Sequence, residues 1–222
     1  MISFLFLLLV AAAMPYLSYL SYQSIRKLEL DHTDLQVSKR SVYLQSAALQ
    51  IGLSLLGYYC SRQESYTITL ISTPDFKSIA AVVCFLSIAL FIAVKARKNK
   101  EQDESTLRYI LPENGLDRIY WMLTVLVAAF CEEYIYRGVL FQMLLAQTHN
   151  SFLFASLLSA VIFGFGHGTQ GKKAILQIIP FALGFHILVY ISKGLILPMM
   201  VHFIYNICVE LFFGKQIREK NV

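Results

Sequence analysis

Charge is scarce in this sequence. Only 15% of its 222 residues are Asp, Glu, Lys or Arg, where a soluble domain carries about a quarter. The charges that do occur are gathered between long apolar stretches instead of lying along helix faces. That distribution excludes a soluble globular domain. Short segments of alternating polar and apolar residues are also missing, which removes a membrane β-barrel. No C-x-x-C pair joins the four cysteines, Cys60, Cys84, Cys131 and Cys208, which lie in or beside apolar segments. Neither a disulfide framework nor a zinc knuckle follows, and the thiols read as small apolar side chains. G-x-S-x-G and H-E-x-x-H do not occur, so serine-hydrolase and zincin-type chemistry find no support. Internal repeats and low-complexity tracts are absent as well.

What is present is apolar: 57% of the residues are hydrophobic and the mean hydropathy is +0.58. Seven apolar segments, near 2–21, 41–60, 77–95, 119–146, 151–167, 174–192 and 195–213, approach the ~20 residues that cross a bilayer. The expectation is an all-α, polytopic transmembrane helix bundle of about seven spans. The fourth segment is the longest and should tilt or extend beyond the bilayer. Met1 to Leu20 has no Lys or Arg before its apolar run, so it reads as a first transmembrane helix and not as a signal peptide.

The net charge of +5 resides in alternate loops. The 22–40 loop carries Arg26, Lys27, Lys39 and Arg40, and the 96–118 loop carries Arg97, Lys98, Lys100, Arg108 and Arg118. Lys172 and Lys173 lie in the 168–173 loop, and Lys215, Arg218 and Lys220 in the tail. The intervening loops hold only Arg62, Lys77 and Lys193. This alternation predicts an N-terminus outside and a C-terminus in the cytoplasm, and it explains the basic balance without a nucleic-acid partner. A polar stretch divides the chain into a three-helix N-terminal part (1–96), a cytoplasmic linker (97–117), a four-helix core (118–213) and a cytoplasmic tail (214–222).

Every intramembrane charge lies in the four-helix core. Such charges cost about 2.5–3.5 kcal/mol each at a helix centre and mark functional sites by default. Glu132, Glu133 and Arg137 stand near mid-depth of the fourth segment. Glu133 and Arg137 are four apart and can pair on one helix face. Glu132, about 100° round the helix, is left without that partner. The fifth segment ends in a histidine, His167, flanked by glycines at 164, 166 and 168 that permit close backbone approach. His202 and Asn206 share a face of the last segment. Taken singly, each has a structural reading: an ion pair, a helix-end histidine, an interhelical amide. Together they supply two carboxylates, two imidazoles, an amide and a guanidinium. A carboxylate in a dry setting beside another carboxylate suits a general base, and an imidazole with an amide can donate to an oxyanion. That is the inventory for amide hydrolysis by activated water.

Glu132-Glu133-x-x-x-Arg137, Phe163-x-x-x-His167 and His202-x-x-x-Asn206 resemble, in order and spacing, the three motifs of the CAAX-processing and bacteriocin-processing (CPBP, or Abi) family of intramembrane proteases. Phe181-x-x-Gly184 and the Gly194–Pro198 turn look like the family too. The resemblance covers roughly residues 118–210 and leaves the first three segments without a motif. It implies that Glu132 is the general base, polarising water with His167. Glu133 and Arg137 would order the site or bind substrate, and His202 and Asn206 would stabilise the oxyanion. The substrate would be a membrane-associated peptide or a prenylated, CAAX-like protein, with membrane lipids as the other partner. The location implied is a bacterial plasma membrane, the site opening to the cytoplasm. No cofactor is required in this reading; should zinc be bound, Glu132, His167 and His202 would be its three protein ligands. The competing readings are a non-catalytic bacteriocin-immunity or regulatory binding protein of the same fold, and a small transporter with a proton relay. The transporter predicts inverted repeats, which the sequence does not contain.

Overall fold

The computed structural model describes residues 1–31, 38–98 and 111–214. Most of the predicted linker (99–110) and the tail from 215 onward lie outside the described residues, as do positions 32–37 of the first basic loop. Among the described residues all regular structure is helical, with no strand. The helices are α1 (residues 2–30), α2 (Lys39–Gln63), α3 (Phe76–Lys98), α4 (Gly115–Gln147), α5 (Phe152–Gly166), α6 (Lys172–Ser192) and α7 (residues 196–214). Four contain stretches long and apolar enough to cross a bilayer: Ile2–Leu28, Phe76–Lys95, Gly115–Gln147 and Lys172–Ser192. The apolar stretches of α5 (Phe152–Gly166) and α7 (Ile196–Phe212) are shorter, and α2 has the length but is diluted by serine, glutamine and tyrosine. The membrane-type, all-helical architecture is therefore present, carried by four such helices.

Contacts between helix ends fix their directions. Ser3 in α1 bonds Glu64, just past α2, so α1 starts where α2 finishes. At the opposite end Arg40 of α2 meets Asp117 of α4 at 2.7 Å, and Arg118 of α4 meets Glu210 of α7 at 3.5 Å. Asn114 caps α4 there by accepting from the Asp117 amide at 2.9 Å, satisfying one of the helix's orphan donors. On the α1-start side, the extended 64–75 segment runs under the α6–α7 turn. The amides of Leu195 and Ile196 donate to its Thr69 and Leu70 carbonyls.

The main core joins α1, α2, α4, α5 and α6 through Phe6, Val10, Leu53, Ile135, Val139, Leu140, Phe163 and Ala182. A second cluster joins α6 and α7 through Phe185, Leu188 and Val201, against Val82 and Phe85 of α3. Outward faces are just as apolar: Leu153 and Phe154 of α5 are exposed, as a helix apolar all round requires when its solvent is lipid. Small residues set the closest approaches. A Cβ on Gly164 would lie 2.6 Å from Ile179, so only glycine lets α5 and α6 meet there.

Candidate active site

The site begins with a change of helix type. α4 is an α-helix over Gly115–Glu132 and a π-helix over Glu133–Leu140, so the adjacent carboxylates straddle the junction. Such π turns are uncommon and gather at functional sites. Glu133 and Arg137 both lie inside the π segment and are fully buried as side chains. The expected pair forms, with Arg137 Nη1 3.3 Å from Glu133 Oε1. It is a charge contact more than an aligned hydrogen bond, since Nη1 and Nε of Arg137 find no hydrogen-bond partner. Nη2 instead donates to the Ala182 carbonyl of α6 at 3.4 Å. The guanidinium lies 4.3 Å above the Phe163 ring and 5.2 Å from that of Phe185. Arg137 thus ties α4 to α5 and α6 by charge, a hydrogen bond and two aromatic faces.

Glu133 has a second partner that helix spacing could not show. Its Oε1 lies 2.9 Å from Nδ1 of His202, on α7. With Glu133 ionised, that contact needs the hydrogen on Nδ1, which turns Nε2 toward the other carboxylate. Nε2 of His202 is 3.9 Å from Glu132 Oε2. His167 is arranged in the same way. It caps the end of α5, and its Nδ1 lies 2.9 Å from the Phe163 carbonyl one turn back. Donation to that carbonyl leaves Nε2 free as an acceptor, 3.8 Å from the same Glu132 Oε2. One carboxylate oxygen therefore faces two imidazole nitrogens at nearly equal distance, none of them in direct hydrogen-bond contact. His167 is the more open, with 23% of its side chain exposed against 11% for Glu132 and His202.

Glu132 is not partnerless, as helix geometry alone implied. Its Oε1 accepts a 2.7 Å hydrogen bond from Nε2 of Gln50, on α2. Sequence reasoning assigned no motif to α2 and missed Gln50; the signal available was an amide in the middle of an apolar segment. Phe185, whose ring centroid lies 5.4 Å from that of His202, was missed as well and had no signal beyond being aromatic. Asn206 lies one turn beyond His202 on α7, half-buried, and its side chain makes no hydrogen bond among the described residues. It is the one predicted site residue that the contacts do not tie to the others.

The donor set of Glu132, His167 and His202 is chemically that of a three-ligand zinc site, and each histidine has the outer partner such ligands usually show. The spacing is looser. Tetrahedral zinc with bonds of about 2.0–2.1 Å holds its ligand atoms about 3.3 Å apart, against 3.8 and 3.9 Å here. Among the described residues no group of three His, Cys, Asp or Glu meets the arrangement of a metal site. The residue types suit zinc, and their separations would have to close to hold it.

Residues 114–208 match the family model described as Type II CAAX prenyl endopeptidase Rce1-like. No curated protein and no solved structure matches the chain. The matched stretch runs from the cap of α4 into α7 and takes in Glu132, Glu133, Arg137, His167, His202 and Asn206. Over that stretch the chain is similar to the CAAX-type protease family.

Proposed function

We propose that this protein is an intramembrane endopeptidase that hydrolyses a peptide bond with water activated by Glu132 and His167. The observation that carries the reading is Glu132 Oε2 held 3.8 and 3.9 Å from the Nε2 atoms of His167 and His202. Those gaps are too wide for direct hydrogen bonds and suit a water that bonds to each acceptor. Such a water points one hydrogen at Glu132 and the other at His167 Nε2, which leaves its oxygen lone pair free to attack. As the water oxygen bonds to the scissile carbon, Glu132 takes the proton and the carbonyl oxygen becomes an oxyanion. His202, with Nδ1 on Glu133, donates from Nε2 when the ring carries both protons, and Glu133 balances that charge. Asn206 supplies the second donor if its free amide turns toward the bound substrate. Collapse of the intermediate breaks the C–N bond, and Glu132 returns the proton to the leaving amine.

Metal is not needed for these steps. Were zinc bound by Glu132, His167 and His202, it would supply Lewis-acid activation of water at the same place. The substrate class follows the family: a membrane-associated peptide or a prenylated, CAAX-like protein. The chain is proposed to cross a bacterial plasma membrane seven times with its N-terminus outside. His167 closes α5 on the side from which α4 starts, so the site would open to the cytoplasm.

The test uses purified protein in detergent and a farnesylated, internally quenched peptide ending in a CAAX sequence. It is paired with peptidomics of cells expressing wild type or Glu132→Ala. Cleavage should vanish in the variant while membrane insertion and melting stay intact; full cleavage by Glu132→Ala would sink the assignment. Metal analysis of the active protein separates the two forms of water activation. A cellular phenotype that survives Glu132→Ala assigns the role to binding instead of hydrolysis.

A further inference from the structure

The family-matched residues begin at 114, yet the shortest hydrogen bond to Glu132 comes from outside them. Nε2 of Gln50, 82 residues earlier, donates to Glu132 Oε1 at 2.7 Å. Its position follows from the packing of α2 on α4. The buried residues of α2 are Tyr43, Leu53, Gly57, Cys60 and Ser61, a stripe at helical spacing, and position 50 lies on it. Contacts along that stripe reach α4 above and below the site. The Thr124 hydroxyl donates to the Tyr43 carbonyl at 3.2 Å, and Ser61 lies 3.3 Å from the Tyr134 hydroxyl. Gln45, five residues earlier in the helix, falls off the stripe, is exposed and bonds within α2, to Ser41.

An amide inside an apolar helix is costly unless its hydrogen bonds are made. Here it meets a carboxylate, the partner that gives the stronger, charge-assisted bond. The terminal torsion of a glutamate is soft, so nothing on α4 alone decides which carboxylate oxygen faces the histidines. A donor fixed on Oε1 decides it, since Oε2 is then the oxygen left for His167 and His202. We infer that Gln50 is a positioning residue for the Glu132 carboxylate, through which the N-terminal helices complete a site whose motifs all lie in α4–α7. This rests on the reading of Glu132 as the base. Gln50 touches no reacting atom; it acts by holding Oε1, and so Oε2, in place.

The experiment compares Gln50→Met and Gln50→Leu, which keep most of the side-chain volume and remove the donor, with Gln45→Met as the control. The first readout needs no turnover. Dicyclohexylcarbodiimide modifies carboxyls in apolar surroundings, and its rate at Glu132, followed by mass spectrometry, reports how firmly that carboxyl is held by its hydrogen bond. Labelling of Glu132 should rise about tenfold in both Gln50 variants and stay at the wild-type rate in Gln45→Met, as expected for loss of a bond worth a factor of that order. Labelling that does not change in the Gln50 variants overturns the inference. The second readout is cleavage of the farnesylated peptide, where Gln50→Met should lower kcat about tenfold with KM unchanged. Glu132→Gln separates the two ideas. If it cleaves normally, the base reading fails while the labelling result still stands. If it is inactive but Gln50→Met cleaves with wild-type kcat, the positioning role fails and the base reading survives.

Discussion

The two parts of the bundle keep their polar groups in different ways. In α4–α7 the charges are buried and shared: Arg137 contacts Glu133, Glu133 holds His202, and Glu132 faces both histidines. In α1–α3 the charges stay at the ends, as in Arg40 with Asp117, while the interior carries hydroxyls and the Gln50 amide bonded across helices. An ion in the apolar interior is tolerated only when its partners are close, and three crossing helices can supply them where one helix cannot. The N-terminal part therefore acts as a support that reaches the site at few places: Gln50 at Glu132, and Ser18 of α1, whose hydroxyl accepts from the Thr169 amide at 2.9 Å beside His167.

That division can be broken at graded points. The largest effect is expected in the motif part. His167→Ala should lower kcat on the farnesylated peptide by about 10²–10⁴-fold, the range for losing an acid–base group, with the melting temperature held. Wild-type kcat would remove His167 from the chemistry. Arg137→Leu should act on stability first. It leaves Glu133 buried with His202 alone, and breaking one side of a buried ion pair costs about 3–5 kcal/mol. Thermal unfolding in detergent measures it, and a melting point equal to wild type would show that Arg137 does not hold α4 to α5 and α6.

Two further changes probe the seam between the parts. Gly184 of α6 faces the Phe85 ring of α3 so closely that any Cβ collides with it. Gly184→Leu should destabilise by about 1–3 kcal/mol through overpacking, and Phe85→Ala in the same chain should restore part of the loss. Absence of rescue would place the strain elsewhere. Ser18→Ala should be the mildest, about 1 kcal/mol for one hydrogen bond, with cleavage changed less than about twofold. A tenfold fall in kcat would instead make α1 part of the working site.

Helical periodicity made much of this legible beforehand. The all-helical, apolar architecture follows from seven long hydrophobic segments with charge between them, and the absence of strands among the described residues agrees. The Glu133–Arg137 contact was readable because both residues lie on one helix, where spacing dictates neighbours. The close approach at Gly164 was readable because a missing side chain shows in the sequence itself. The π turn at Glu133–Leu140 was not, because a one-residue change in hydrogen-bond register leaves the apolar pattern almost unchanged.

By itself the sequence determined that several ionisable groups must hide from lipid, and which of them share a helix face. Which carboxylate each histidine would meet was decided only by the tertiary structure. Glu132 and Glu133 are neighbours in sequence and chemically alike, yet one takes the Gln50 amide and the other His202 Nδ1. Those partners sit 82 and 69 residues away on other helices. Within a helix the 3.6-residue turn sets who faces whom, whereas across helices only the packing of whole faces does.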